Sequence, residues 1–499
     1  MLFAIAWLAL LALAERTPPI DNVEQWVWSH GLAWGYYKHP PLPTWIAAGV
    51  QVVLGRTPIV INVLGALCAI TTFVMFWHLL RQLYGRAFAL LALLAVLCLT
   101  YSTQRLHYFN HNTVLMPLTA AIALLLWRAT NRPWRWTWAV IGLLIGTGLL
   151  AKYQMALVAA CVGLWWLRLE GWRDAEHRVG ALWCVLAALA VFSPHLWWLV
   201  VSDWAPLNSA RQSSLGAALP WRARPGHVLH WLLDWFGNRL LPAWIFLALA
   251  AWVLAHRLPA PGTQGAGNIA ATVTPVRTAR QFLMLWGLVP PLLMAGLGLA
   301  AGVQLQFKWS TSFALWTVPA IMACLPLGSW ITRTRELPRS IWIGFFILQL
   351  LLAVWLGVSA YRGMGMVSTA TLPNWSQRDF KSVARVVDEQ ARASLDGPVQ
   401  VICGPYGVSG AIAQHLPQSP QVLIDGSLDK SPWLSAESLR GARAVHVAPA
   451  CELPEGAFWI MPGWIGWTGY GIESPGFSPA LDLWREAVAH GGYSRVQCP

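Results

Sequence analysis

Charge is what this 499-residue chain has least of: Asp, Glu, Lys and Arg make up 11% of it, against 57% hydrophobic residues. A soluble domain of this size does not leave its surface so poor in charge, so a polytopic membrane protein is implied. Acid is scarcer than base, 21 against 34 side chains, and the net charge of +13 is unevenly spread. Residues 1–360 hold 24 basic and 9 acidic side chains, whereas residues 361–499 hold 10 and 12. The excess base thus belongs to the membrane part, where the positive-inside rule accounts for it, and no nucleic-acid partner is indicated. Cysteine is also sparse. Cys68, Cys98, Cys161, Cys184 and Cys324 lie in apolar runs and read as packing residues. Cys403, Cys451 and Cys498 fall in the polar tail, where an oxidising compartment would allow one disulfide and leave one thiol over. No Cys/His spacing fits a zinc site, no cofactor is indicated, and a divalent metal is left open.

What the chain has in quantity is apolar sequence. Runs suited to membrane helices occur near 58–80, 87–101, 113–128, 180–201, 241–256, 282–302, 311–331 and 340–360. The run from Ala139 to Leu167 would measure roughly 43 Å as one helix, too long for a bilayer core of ~30 Å. Arginines flank it at both ends, so it reads as a hairpin turning near Lys152. Leu2–Ala14 reads as a first span, with "ALA" at 12–14 leaving signal-peptide cleavage as the alternative. About eleven transmembrane helices follow. The loops at 81–86, 128–135, 168–178, 257–280 and 333–339 hold 14 arginines and no lysine, which assigns them to the cytoplasm and the tail to the far side.

From about Tyr361 the composition becomes that of a soluble domain. "SQRDFKSVARVVDEQARASL" and "SPALDLWREAVAH" read as helices, and "VQVIC", "QVLID" and "RAVHVAP" as strands. The expected architecture is an all-α polytopic membrane domain over 1–360 and a small soluble α/β domain over 361–499. The near-side stretch "PAPGTQGAGNIAATVTP" reads as a flexible linker.

Chemistry concentrates on the far side. The first external loop, "DNVEQWVWSHGLAWGYYKHPPL" (21–42), crowds acids, aromatics, histidines and a lysine beside the first apolar segment. Asp21 and Glu24 are one helical turn apart and can face one site, either as catalytic acids or as helix N-terminal charges. The only lysines among the first 360 residues, Lys38, Lys152 and Lys308, all fall on the far side, as wanted around a phosphate, or as interfacial lysines reaching water. Arg105, His39, His107 and His111 could add cationic or hydrogen-bonding groups. Trp26, Trp34, Tyr36, Tyr37, Tyr153, His107, His111 and Trp309 are candidate sugar or acceptor contacts, with a membrane-interface aromatic belt as the alternative for the Trp and Tyr rings. Pro40-Pro41 reads as the start of an interfacial helix.

These motifs carry a resemblance. "DNVEQW" leading into "WGYYKHPPL", followed in order by "HYFNHNTVLMPL", "GTGLLAKYQMAL", "FSPHLWWLVVSDWA" and "QFKWSTSFALWTVPA", resembles the GT-C fold glycosyltransferases of the protein O-mannosyltransferase and aminoarabinose-transferase kind, family 39. The resemblance covers roughly 1–360. It implies a polyprenyl-phosphate-linked sugar donor, inversion at C1 and a bacterial inner-membrane enzyme working on the periplasmic side. Its key acid in the first external loop falls on Asp21. Many members follow that acid with Glu, whereas this chain has Asn22, so a second carboxylate would be Glu24. The donor phosphate would meet Lys38, His39, Lys152, Lys308 and Arg105. The expected acceptor is an envelope glycolipid such as lipid A, receiving an aminoarabinose-like sugar. A polysaccharide or protein acceptor, and a lipid-linked sugar flippase, are the alternatives.

Overall fold

The computed structural model describes residues 1–132, 134–211, 219–257, 270–327, 331, 336–363, 374–395, 397–440, 442–449, 458–464 and 467–473. It is mostly helical. The apolar runs form α1 (Leu2–Ala14), α4 (Pro58–Tyr84), α5 (Arg86–Val96), α6 (His111–Asn131), α7 (Arg135–Ala151), α8 (Met155–Arg168), α9 (Ala175–Val201), α12 (Leu241–Arg257), α13 (Ala270–Ala301), α14 (Ala314–Cys324) and α15 (Arg339–Tyr361). Between them lie α2 (Ile20–Trp28), α3 (Leu42–Leu54), α10 (Ala205–Ala210) and α11 (Arg224–Leu233). Among the described residues, five helices are long and apolar enough to cross a membrane: α4, α6, α9, Arg277–Ala301 of α13, and α15. A sixth span is obtained if Arg224–Arg239 and Leu241–His256, bent by 53°, are one. The expectation of about eleven also counts segments such as α1, α5, α7, α8 and α14, which are apolar but shorter.

Local sequence explains how these helices turn and pack. Gly85 joins α4 to α5 at φ +83°, a conformation that strains any side-chain-bearing residue. Gly142 and Gly146, one turn apart on α7, let its backbone meet α9, since a Cβ at either would run into the backbone of Cys184 or Ala188. This small-residue seam is the most extensive helix pair in the molecule. The expected break near Lys152 is present: α7 stops at Ala151, Lys152 takes extended backbone, and α8 starts at Met155.

The C-terminal part forms α16 (Phe380–Leu395), α17 (Tyr406–Ala413), α18 (Ala436–Leu439) and a five-stranded sheet of order β2-β1-β3-β5-β4. Strands β1 (Val401–Gly404), β2 (Gln421–Ile424) and β3 (Ala444–Pro449) are parallel, with Val401 opposite Gln421 and Ala444. β4 (Phe458–Trp464) and β5 (Trp467–Glu473) add an antiparallel pair beside β3, absent from the sequence reading. The expected closing helix at 478–490, Cys451, Cys498 and most of the linker segment lie outside the described residues. Cys403 is buried and forms no disulfide with any described residue.

The C-terminal unit has a small cluster of its own around Val401, Cys403 and Leu423, but its larger core is shared. Val23, Trp26, Val27 and Trp28 of α2, with Tyr36, form one buried cluster with Phe380, Val387, Ile402, Val408 and Ile412. Gly407 and Gly410 of α17 admit the contact, for a Cβ at Gly410 would come within 2.6 Å of Val23 and Val27. Hydrogen bonds add to the attachment: Arg16 and Thr17 donate backbone N–H groups to the Ser376 carbonyl, and Trp375 donates to Pro18 at 2.7 Å. The unit therefore packs on the segment that follows α1.

Candidate active site

α2 is nine residues long and carries both candidate acids. Its C-terminal carbonyls would be unsatisfied where they are buried, and Arg56 supplies donors, reaching Ser29 O at 3.1 Å and Trp26 O at 3.2 Å. Asn22 fastens the helix from the other side. Its amide donates to Asn62 and to the His107 carbonyl, and its oxygen accepts from Phe109 N at 2.8 Å. The residue at which this chain departs from the family pattern is thus a buried fastener.

With α2 fixed, Asp21 faces the start of α6. Asn110 caps that helix, its oxygen accepting from Asn112 N and Thr113 N, while its amide nitrogen donates to Asp21 Oδ2 at 2.8 Å. Two residues on, Asn112 Oδ1 accepts from Lys152 Nζ at 2.5 Å, and the Asn112 carbonyl accepts from Ser312 at 2.7 Å. The first turn of α6 therefore binds the first loop, the α7–α8 break and the 307–313 segment together. Neither asparagine was singled out in the sequence. The N-x-x-T capping pattern in "FNHNT" is the signal that marks Asn110.

The three lysines converge on the same region from separate loops. Lys38 forms an ion pair with buried Glu24. Burial pulls Lys38 down, but Glu24 and its other neighbours outweigh this and push it up to about 12. Burial raises the Glu24 carboxyl, with Lys38 opposing. Lys152 sits at the α7–α8 break, where burial, reinforced by the charge of Lys308 and opposed by Asp21, brings it down to about 7. Lys308 is exposed on the turn Phe307–Ser310, and its charge is felt at Glu24, His39 and Lys152. His39 packs 4.0 Å from His111 between ring centroids. Burial holds His39 well below the ordinary histidine value, with His111 and the three lysines acting in the same direction. The site thus gathers two carboxylates and a cluster of cations, and its histidine is kept neutral.

Arg105 and His107 stand to one side. Arg105 lies between the rings of Tyr101 and Tyr108, at 5.6 and 5.4 Å, and has no ion pair among the described residues. With Arg239, Tyr101, Ser310, Phe73 and Leu315 it lines a cavity of about 150 Å³ of mixed polar and apolar lining. His107 is buried against Glu15 at 2.8 Å and serves as a partner to that acid.

The aromatic candidates divide. Trp26 and Tyr36 are 0% and 1% exposed, the first packed in the shared core and the second stacked on Trp28, so neither has a face open to a sugar. This corrects the sequence reading for both, and the reason is the C-terminal unit that covers them. Trp34 is exposed and meets Trp45 edge to face; Tyr37 is half-buried, with the Lys38 and Lys430 ammonium groups each 5.7 Å from its ring. Tyr153 shares a hydrogen bond with His195 Nε2 at 2.9 Å, and His195 Nδ1 reaches the Trp34 carbonyl at 2.6 Å. Trp309 packs on the membrane core, its carbonyl accepting from Gln154. His195 was also missed, although a histidine inside the apolar run "FSPHLWW" marks it. Among the described residues, no group of three or more His, Cys, Asp or Glu side chains could hold a metal ion.

Known proteins supply the comparison. The model of the dolichyl-phosphate-mannose-protein mannosyltransferase family matches residues 38–198. The chain is similar to the lipopolysaccharide core galacturonosyltransferase RgtA of Rhizobium johnstonii, 25% identical over 444 residues, covering 81% of this chain and 77% of that one. It is also similar to the lipid A galacturonosyltransferase RgtD of the same organism, 22% identical over 313 residues, covering 62% and 60% respectively. Among solved structures, ArnT from Cupriavidus metallidurans bound to undecaprenyl phosphate matches with a TM-score of 0.58 at 12% identity, covering 94% of this chain and 97% of that one. The apo state of the same protein gives 0.55 at 13% identity, covering 94% and 96%. The chain has the ArnT fold, and the resemblance to GT-C glycosyltransferases drawn from its motifs over residues 1–360 is borne out.

Proposed function

We propose that this membrane glycosyltransferase moves a sugar from a polyprenyl phosphate to an envelope glycolipid at the periplasmic face of a bacterial inner membrane. It does so from about eleven membrane passes that carry a periplasmic α/β domain. A galacturonosyl-type sugar and a lipid A or core acceptor are the substrates most in keeping with the relatives' names, and they replace the aminoarabinose-like sugar expected first. The observation that carries the reading is the convergence of Asp21, Glu24, Lys38, Lys152 and Lys308 from three separate segments of the chain.

The chemistry follows from the charges. The acceptor oxygen attacks C1 of the sugar as the bond from C1 to the phosphate oxygen breaks, which inverts C1. Polyprenyl phosphate leaves with the bonding electrons, so a phosphodiester monoanion becomes a monoester with a second developing negative charge. Fixed cations stabilise that charge more in the transition state than in the bound donor. Lys152 and Lys308 are the phosphate ligands in this scheme, with Lys38 shared between Glu24 and the phosphate. Asp21, oriented by Asn110, takes the proton of an acceptor hydroxyl; a phosphate acceptor would need only orientation. The cavity beside Arg105 and Arg239 suits a second anionic group of a lipid substrate.

The test is transfer by purified protein from a labelled polyprenyl-phosphate sugar to lipid A or core glycolipid. Asp21→Asn and Lys152→Ala should each lower the rate by about 100-fold or more. Full activity in both variants removes these roles, and translocation of the labelled lipid without transfer replaces the reading with a flippase.

A further inference from the structure

We propose that Tyr406, carried by the C-terminal unit, is a positioning residue of the transfer reaction, holding the Lys38 ammonium in place for the donor phosphate. The inference rests on the reading that Lys38 meets that phosphate.

Tyr406 is the first residue of α17, the helix that packs against α2 through Gly407 and Gly410. Its ring centroid is 4.2 Å from Lys38 Nζ, nearer than Tyr37 at 5.7 Å or Trp28 at 5.8 Å. All three ring centroids lie between 4.2 and 5.8 Å from the ammonium, and Glu24 pairs with it. This arrangement has a chemical consequence. Aromatic faces attract a cation without taking up its N–H groups. An ammonium has three donors, and among the described residues its ion pair is with Glu24 alone. The cage thus keeps Lys38 fixed and charged while leaving donors for an arriving oxyanion. A second carboxylate in place of Tyr406 would compete with the phosphate, whereas a ring does not.

The C-terminal unit also brings Lys430 to 5.7 Å from the Tyr37 ring, where Asp425 pairs with it at 2.9 Å. Tyr37 thereby neighbours one cation of the loop and one of the unit. The two parts of the chain meet around the lysine through charge and ring as well as through the apolar core.

The experiment is a double-mutant cycle in the full-length protein, read as kcat/KM for the polyprenyl-phosphate sugar and, separately, as KM for the acceptor. Tyr406→Leu should lower donor kcat/KM by roughly 10-fold and leave acceptor KM unchanged; Tyr406→Phe, which keeps the ring, should stay within about threefold of wild type. In a Lys38→Met background, which lowers activity on its own, Tyr406→Leu should add no further loss. Additive losses would mean that Tyr406 serves only the packing of the unit, and would overturn the proposal. If Tyr406→Leu does not fold, phenylalanine with increasing ring fluorination at 406 preserves volume while weakening the ring's attraction for a cation. Donor kcat/KM should then fall stepwise with fluorination, and a flat series overturns the proposal. Absence of any transfer by the wild-type protein would instead refute the transferase reading, which separates the two failures.

Discussion

Among the side chains of the site, Lys152 sets the most direct expectation. Burial and the nearby Lys308 charge bring it down to about 7. A lysine attracts phosphate only as the ammonium, and the bound phosphate in turn raises the lysine's proton affinity. Below about 7 the charge is already present in the free enzyme. Above that value each binding event must draw a proton from solvent, so donor affinity weakens by up to about tenfold per pH unit. Donor affinity measured from about pH 6 to pH 9 should therefore be flat at first and then decline. Lys152→Arg, which stays charged throughout, should flatten the decline. A wild-type profile without a break would show that Lys152 does not take part in binding as the titrating cation.

At the scale of elements, α2 and the first turn of α6 form the frame on which the site is built. Asn22 makes three hydrogen bonds: two, both buried, hold α2 against the 107–109 backbone, and the third, part-buried, reaches the Asn62 side chain. Asn22→Ala leaves the Phe109 N–H without its partner and should destabilise the protein by about 2 kcal/mol. Because the same bonds aim Asp21, kcat should fall by roughly 10-fold or more while donor affinity changes less. Asn22→Asp would bring the sequence closer to an acid pair, yet it retains the acceptor and loses both donors, so it too should lower kcat. A gain in rate with Asp would mean that a second carboxylate belongs there. The helices themselves were legible in the sequence because apolar run length is a local property. The break at Lys152 was legible because 29 residues exceed one span and arginines flank both ends. The roles of Asn22, Asn110 and His195 were hidden, since each depends on a partner at least 85 residues away.

For the whole molecule, the sequence reads as two parts divided near Tyr361, and composition does change there. Composition cannot reveal that the two parts share a core, because α2 and α17 are separated by almost the full chain and neither is strongly apolar throughout. Trp26 and Tyr36 were misread for this reason: an aromatic in an external loop looks available until the element that covers it is known. The shared cluster makes a firm prediction about truncation. Ending the chain after Tyr361 would uncover Val23, Trp26, Val27 and Trp28, each 0% exposed in the folded protein. It would also remove the ring nearest to Lys38 and the carbonyl that receives the Arg16 and Thr17 N–H groups. A short helix has little stability of its own and is held by what its apolar face packs against, so α2 should loosen and release Asp21 and Glu24 from register. The membrane helices pack in a separate cluster and should survive. Limited proteolysis of the truncated protein in detergent or lipid should therefore cut first within 15–57, with the later spans protected, and transfer should fall by about 100-fold or more. If the truncated chain transferred sugar at the full rate with its first loop still protected, the unit would be an appendage, and the reliance of the site on it would be refuted.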